Sequence, residues 1–221
     1  MTLWNFAQIK SEVRGLTMKR SINQISEDEL EDFINRYLFY KFPQDINPPE
    51  IHGFYEFVTV DGTDTYTIDQ DEVVAFDGTV FISDTNTIGT PGTVWTDVNL
   101  FYTKNPTETS TEEGEPIDFL IYGGEIIAMP IPDAVYYIKM PCILRAEILI
   151  QDADIPTVVG NENEYEEWGS VIAHGAALDI LEKSGEDDRY QQVQAWYNRE
   201  KLSLKKKEVL QNASKRPYCK F

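Results

Sequence analysis

The chain has 221 residues, 42% of them hydrophobic and 12% aromatic, which suffices for one domain or two small ones with a packed core and disfavours global disorder. Nineteen Lys and Arg against 38 Asp and Glu give a net charge of −19, which argues against a protein that coats nucleic acid over its whole surface. No apolar run approaches a membrane span, no secretory leader pattern opens the chain, and two cysteines, Cys142 and Cys219, are too few for a disulfide framework.

The first fifty residues read as helical. Leu3, Phe6, Ile9 and Val13 recur at helical spacing, with Gly15 as the expected end. Ser26 and Glu29 have the spacing of a capping box, and Ile25 and Leu30 that of a hydrophobic staple. Leu30, Phe33, Ile34, Tyr37 and Leu38 then form one buried stripe, which Pro43 is expected to stop.

Residues 51–150 change period. An aromatic and β-branched run at 54–60, the turn Asp61-Gly62 and an alternating run at 63–69 predict a β-hairpin. Further strands are expected at 73–76, 80–83, 94–102, 118–122, 125–129 and 134–140, with Gly123-Gly124 as a hairpin turn. Short strands with turn residues between them suggest a small sandwich or barrel. The polar stretch 104–116 is expected to protrude as a mobile loop.

From Asn161 the helical period returns. Tyr165, Trp168, Ile172, Gly175, Leu178 and Leu181 share one side, and the small run 173–177 would let another backbone approach. Ser184-Gly185 breaks the pattern before a long helix carrying Tyr190, Val193, Tyr197 and Leu204. The fold expected is α+β: a helical module from residues 1–50 and 155–210, an inserted antiparallel β unit at 51–154, and an extended tail at 211–221.

Charge follows the same division. Residues 51–160 hold 19 acidic and 3 basic side chains, whereas residues 199–221 hold 2 acidic and 8 basic. No phosphate-cradling glycine motif, nucleophile elbow or metal-spaced Cys/His cluster occurs, so no catalytic, cofactor or metal site is expected. His174 reads as a packed or surface histidine and Cys142 as a small buried hydrophobe. The acidic groups 61–64, 69–72 and 152–154 lack the EF-hand pattern and read as solubilising turns; a catalytic carboxylate pair stays open. Lys205, Lys206 and Lys207, then Lys215 and Arg216, are the basic concentration. They are either a solvated helix end or an element that docks on an acidic surface, with Tyr218 and Phe221 as apolar anchors.

The order of features resembles the head-to-tail adaptor, or neck and connector ring, proteins of tailed bacteriophages. The resemblance is carried by Phe33-Ile34-Asn35-Arg36-Tyr37, by Ile126-Ile127-Ala128-Met129-Pro130-Ile131-Pro132-Asp133 with the following run 134–140, by Ile155-Pro156 before the Ala-rich helix 171–181, and by the break Ser184-Gly185-Glu186-Asp187. It implies a structural virion protein with no enzymatic role, assembled in the bacterial host cytoplasm and located at the neck. Such proteins form a ring, typically of twelve copies, between the portal protein and the next neck or tail ring. DNA passes through the lumen without sequence-specific binding, and no membrane is involved. On this reading the docking residues are Lys205, Lys206, Lys207, Lys215, Arg216, Tyr218 and Phe221, and acids facing a channel would repel DNA phosphates. Two other readings remain. One is a β-domain binding module for a carbohydrate or a protein, with Trp95, Tyr102 or Tyr122 stacking on ligand unless they are core residues. The other is a carboxylate-dependent hydrolase.

Overall fold

The computed structural model describes residues 4–19, 24–46, 51–85, 89–106, 112–157 and 168–214, the side chains of 204 and 206–214 excepted. The fold is α+β, with helices at both ends of the chain around an inserted, curled β unit. The chain divides into two compact units: Met1–Ile51 with Ala146–Phe221, and His52–Arg145. Residues 146–154, grouped by sequence with the strands, therefore pack with the helices.

In the helical unit, α1 (Phe6–Thr17) opens on a reciprocal cap: Asn5 Oδ1 accepts the Gln8 N–H at 3.0 Å and Gln8 Oε1 accepts the Asn5 N–H at 3.1 Å. The next two orphan donors, the N–H groups of Phe6 and Ala7, bond the carbonyls of Asp154 and Asp152. Gly15 does not end α1; the helix runs to Thr17 and closes at Met18, in the left-handed region at φ 57°. α2 (Glu27–Arg36) starts at Ser26, whose Oγ accepts the Glu29 N–H at 3.2 Å, and Ile25 and Leu30 are both buried as the staple requires.

Pro43 does not stop the helical run. A π-helical turn (Tyr37–Lys41) follows α2, with the Phe42 N–H reaching the Tyr37 carbonyl five residues back. Pro43 then falls in the first turn of α3 (Phe42–Asp45), where a missing N–H costs least. α4 (Val98–Lys104) belongs to the β unit. α5 (Gly169–Ser184) is buried along eleven of its sixteen residues and ends at Gly185, φ 69°, before α6 (Asp187–Ser214). At Gly175 the small run lies against an aromatic ring: a Cβ there would overlap Tyr37. The Tyr37 and Tyr197 hydroxyls meet at 2.9 Å in this core, and burial raises both phenol pKa values.

The β unit comprises β1 (His52–Val58), β2 (Thr65–Thr67), β3 (Val73–Phe76), β4 (Thr79–Ser83), β5 (Thr90–Trp95), α4 (Val98–Lys104), β6 (Glu113–Gly114), β7 (Asp118–Tyr122), β8 (Glu125–Met129), β9 (Ile131–Pro132) and β10 (Tyr137–Leu144). Its main sheet runs β1-β10-β4-β5-β7-β8-β2, with β3 beside β4 on the same edge of β10; every pairing is antiparallel except β5 with β7. The expected hairpin of residues 54–60 with 63–69 does not form as a ladder, because β2 pairs with β8. The two ends of the sheet nonetheless meet. Tyr55 Oη donates to the Thr67 carbonyl at 3.4 Å, Tyr66 Oη accepts the Val60 N–H at 3.1 Å, and the Phe57 and Tyr66 rings lie 5.0 Å apart. The curl is therefore closed by side chains, leaving a barrel-like unit.

Register places Tyr55 with Met140, Phe57 with Ile138, Ile138 with Ile82, Val94 with Phe119 and Phe119 with Ala128, so these residues share the inner face. β10 alternates along its length, burying Ile138, Met140, Cys142 and Leu144. Cys142 is 1% exposed and burial pushes its thiol up to about 11, a packed rather than a reactive group.

The strand expected at 94–102 is instead the end of β5 and then α4. Asp97 caps that helix by accepting the N–H groups of Asn99 and Leu100, at 2.8 and 3.1 Å. α4 covers the outer face with a second small core of Phe101, Leu120 and Met129, against which Trp95 and Tyr102 pack. Of the stacking candidates, Tyr122 alone is largely exposed, at 61%. The polar stretch after α4 is anchored at both ends, by Lys104 on Asp118 at 2.8 Å and by β6 pairing with β9; its residues 107–111 lie outside the described ones.

Candidate functional site

Lys205, Lys206 and Lys207 occupy consecutive positions of α6, and the Lys205 side chain is half-buried. Lys215, Arg216, Tyr218 and Phe221 lie outside the described residues. The first three are neighbours in sequence on α6, each turned about 100° from the next.

The helix that carries them is long for its support. α5 has 16 residues and α6 has 28, about 24 and 42 Å at the helical rise. Val193 and Tyr197 are the buried positions of the α6 half that packs on α5. Near the start of α5, Ser170 Oγ donates to Glu200 at 2.6 Å, so α6 runs on beyond α5 after that level. Lys201 sits 5.6 Å from the Tyr197 ring and Leu202 is 61% exposed, at the beginning of this extension. An isolated helix of a dozen residues is marginal in water.

His174 belongs to the same corner. Its Nδ1 lies 2.8 Å from the Ser170 carbonyl, which can only accept, so that nitrogen carries the proton. The Glu200 carboxylate is 3.3 Å away and the Trp196 ring stands edge-on at 6.5 Å. Ser170 donates to the carboxylate and not to the imidazole, so these residues do not form a nucleophile–base pair.

The densest charge cluster of the helical unit is structural. Lys10 lies 2.6 Å from Asp152, 2.9 Å from Glu31 and 3.1 Å from Glu27, and Glu27 also takes Arg14 at 2.6 Å. Burial alone would lower the Lys10 pKa, and the hydrogen bonds its ammonium donates to Asp152, Glu31 and Glu27 outweigh it and raise it. The Arg14 and Lys10 hydrogen bonds hold the Glu27 carboxyl below its ordinary range. Asp154 Oδ2 accepts the N–H groups of Ile150 and Gln151, so the 152–154 acids build a turn.

The β unit carries 16 acidic against 3 basic side chains. All three cations are engaged: Lys104 with Asp118, Lys139 with Glu56 at 3.0 Å, and Arg145 with the Gln70 carbonyl at 2.9 Å. Asp118 is buried and also accepts the Trp95 indole N–H at 2.9 Å, which fixes α4 to β5 and β7. Burial, and secondarily the nearby Asp69, raises the Glu72 carboxyl.

Sequence reading missed an open cavity of about 580 Å³ in this unit, lined by Ile68, Val74, Phe76, Val94 and Ile121, with Asp77 among its polar residues. It exists because β4 and β5 pair only as far as Thr79 and Thr93, while β3 bonds β10 alone. Asp77-Gly78, between β3 and β4, is the one signal in the sequence that the strand is interrupted there. Among the described residues, no group of three or more His, Cys, Asp or Glu is placed to hold a metal ion, and no helix is long and apolar enough to cross a membrane. No protein-family model matches the chain, and no curated protein matches it.

Proposed function

We propose that the protein is a head-to-tail adaptor of a tailed bacteriophage: a structural virion component whose copies form a ring on the portal protein, extend the DNA channel and present a platform for the next neck or tail ring. The observation that carries this reading is the extension of α6 past α5, ending in a cation-rich segment. A helix that extends past its packing partner and carries surplus charge suits a docking element, and ring geometry multiplies a modest single contact into high avidity. The acidic β unit supports the same reading, since carboxylates along a channel keep DNA phosphates from sticking.

The test is co-sedimentation of the purified protein with portal complexes, followed by negative-stain microscopy. The full chain is expected to add a ring to the portal, and removal of residues 211–221 is expected to abolish co-sedimentation. Unchanged binding of the truncated chain would remove the docking role of the tail. A full chain that never engages portal, and binds glycans on an array as a monomer, would replace the adaptor reading with that of a binding module.

A further inference from the structure

The gap in the wall of the β unit has the features of a strand-accepting slot. β3 is bonded to β10 on one side and has no ladder on the other among the described residues; the end of β5, from Val94 to Trp95, bonds only β7. Two strand edges therefore face a cavity of about 580 Å³ floored by apolar side chains of the inner face. The cavity's lining includes Asp77 and the neutral Gln70, and the segment that carries Gln70 into β3 also holds Asp69, Asp71 and Glu72. None of them takes part in an ion pair among the described residues.

The occupant with matching chemistry is in the same chain. Residues 215–221 read Lys-Arg-Pro-Tyr-Cys-Lys-Phe. With the period of two of an extended strand, Lys215, Pro217, Cys219 and Phe221 fall on one face and Arg216, Tyr218 and Lys220 on the other. From residue 217 onward the first face matches an apolar cavity, and the other carries cations for an acidic rim. We infer that the C-terminal segment of a second copy seats in this gap as an added strand along β3, its apolar face turned into the cavity and its cations toward Asp77 and the 69–72 acids. The contact is heterologous: tail of one copy, β unit of the next, so it propagates around a closed ring. It deepens the adaptor reading and rests on it for the closed, multi-copy setting: the tail joins neighbouring copies, and portal binding depends on it through the avidity of the closed ring.

Cys219 makes the test direct, because Cys142 is buried and does not compete. Full-length Thr96→Cys and Val74→Cys variants, one on each side of the gap, are oxidised separately and run on non-reducing gels. Covalent dimers and higher multimers are expected with both variants, lost on Cys219→Ser and reduced several-fold by Asp77→Lys. Val74 is half-buried and Thr96 exposed, so Thr96→Cys keeps the test alive if the other variant folds poorly. Absence of any Cys219 cross-link, or a cross-link that closes only within one copy, overturns the inference. Portal binding by the same proteins is scored separately. Rings without cross-links would leave the adaptor reading in place and remove this contact; cross-linked multimers that ignore portal would remove the adaptor reading and keep the contact.

Discussion

At Gly175 the α5 backbone lies directly against the Tyr37 ring, where an added Cβ would overlap the aromatic carbons. Tyr37 is 2% exposed and its hydroxyl is held by Tyr197, so the ring has little freedom to move away. Gly175→Ala is therefore expected to destabilise the protein by about 1–3 kcal/mol despite the better helix propensity of alanine. Chemical denaturation of the full chain checks it, and a stabilised variant would mean that the ring relocates freely. Gly15 is the contrast. A Cβ there meets nothing, and the helix runs through it to Thr17. Both glycines look alike in the sequence; only the neighbour across space separates them.

Among the elements, α1, α2 and the turn at 152–154 are tied by one nearly buried ammonium, Lys10, which faces Glu27, Glu31 and Asp152. The Glu27 carboxyl is held below its ordinary range by Arg14 and Lys10, so it favours the folded state where it is ionised. That contribution is fully present above the usual glutamate pKa, about 4.3, and fades as pH falls through the lower folded-state value. Thermal unfolding between pH 6 and 3 is expected to show a stability loss that Glu27→Gln reduces in slope, with lower stability at pH 6. An unchanged pH slope would show that the cluster contributes nothing through Glu27. The elements themselves were unevenly legible. α2 was readable because Ser26, the staple of Ile25 with Leu30 and the apolar stripe all agree on one local answer. The stretch at 94–102 was not. Val94, Trp95, Phe101 and Tyr102 have strand-like composition, but the Asp97 cap turns the chain into α4 so that Phe101 is buried on Leu120 and Met129. Pro43 was misread for a related reason: a π turn placed it where its missing N–H does no harm.

On the scale of the whole molecule, charge is the organising quantity. Sixteen acids and three engaged cations lie in the β unit, and residues 199–221 carry eight basic side chains against two acidic ones. Copies that dock basic tail to acidic unit are expected to self-associate less as salt rises from about 0.05 to 0.5 M, since the screening length falls from over 10 Å to a few ångströms. Sedimentation velocity of the full chain across that range measures it; association that strengthens with salt would assign the contact to apolar surface instead.

The chain's own sequence determined the α+β class, the α2 start, most strand positions, the turns at Gly62 and Gly123-Gly124, and the segregation of charge, because each is settled by neighbours a few residues apart. Tertiary structure decided the partner of each strand. β2 leaves β1 for β8, and the curl closes through Tyr55, Phe57 and Tyr66 rather than through a ladder. It also decided that the β4–β5 ladder stops at Thr79 and Thr93 while β3 bonds β10 alone, which opens the cavity. Strand pairing is a choice among many edges of similar local chemistry, made by which inner faces fill one shared core, and a pattern of period two carries no record of that choice.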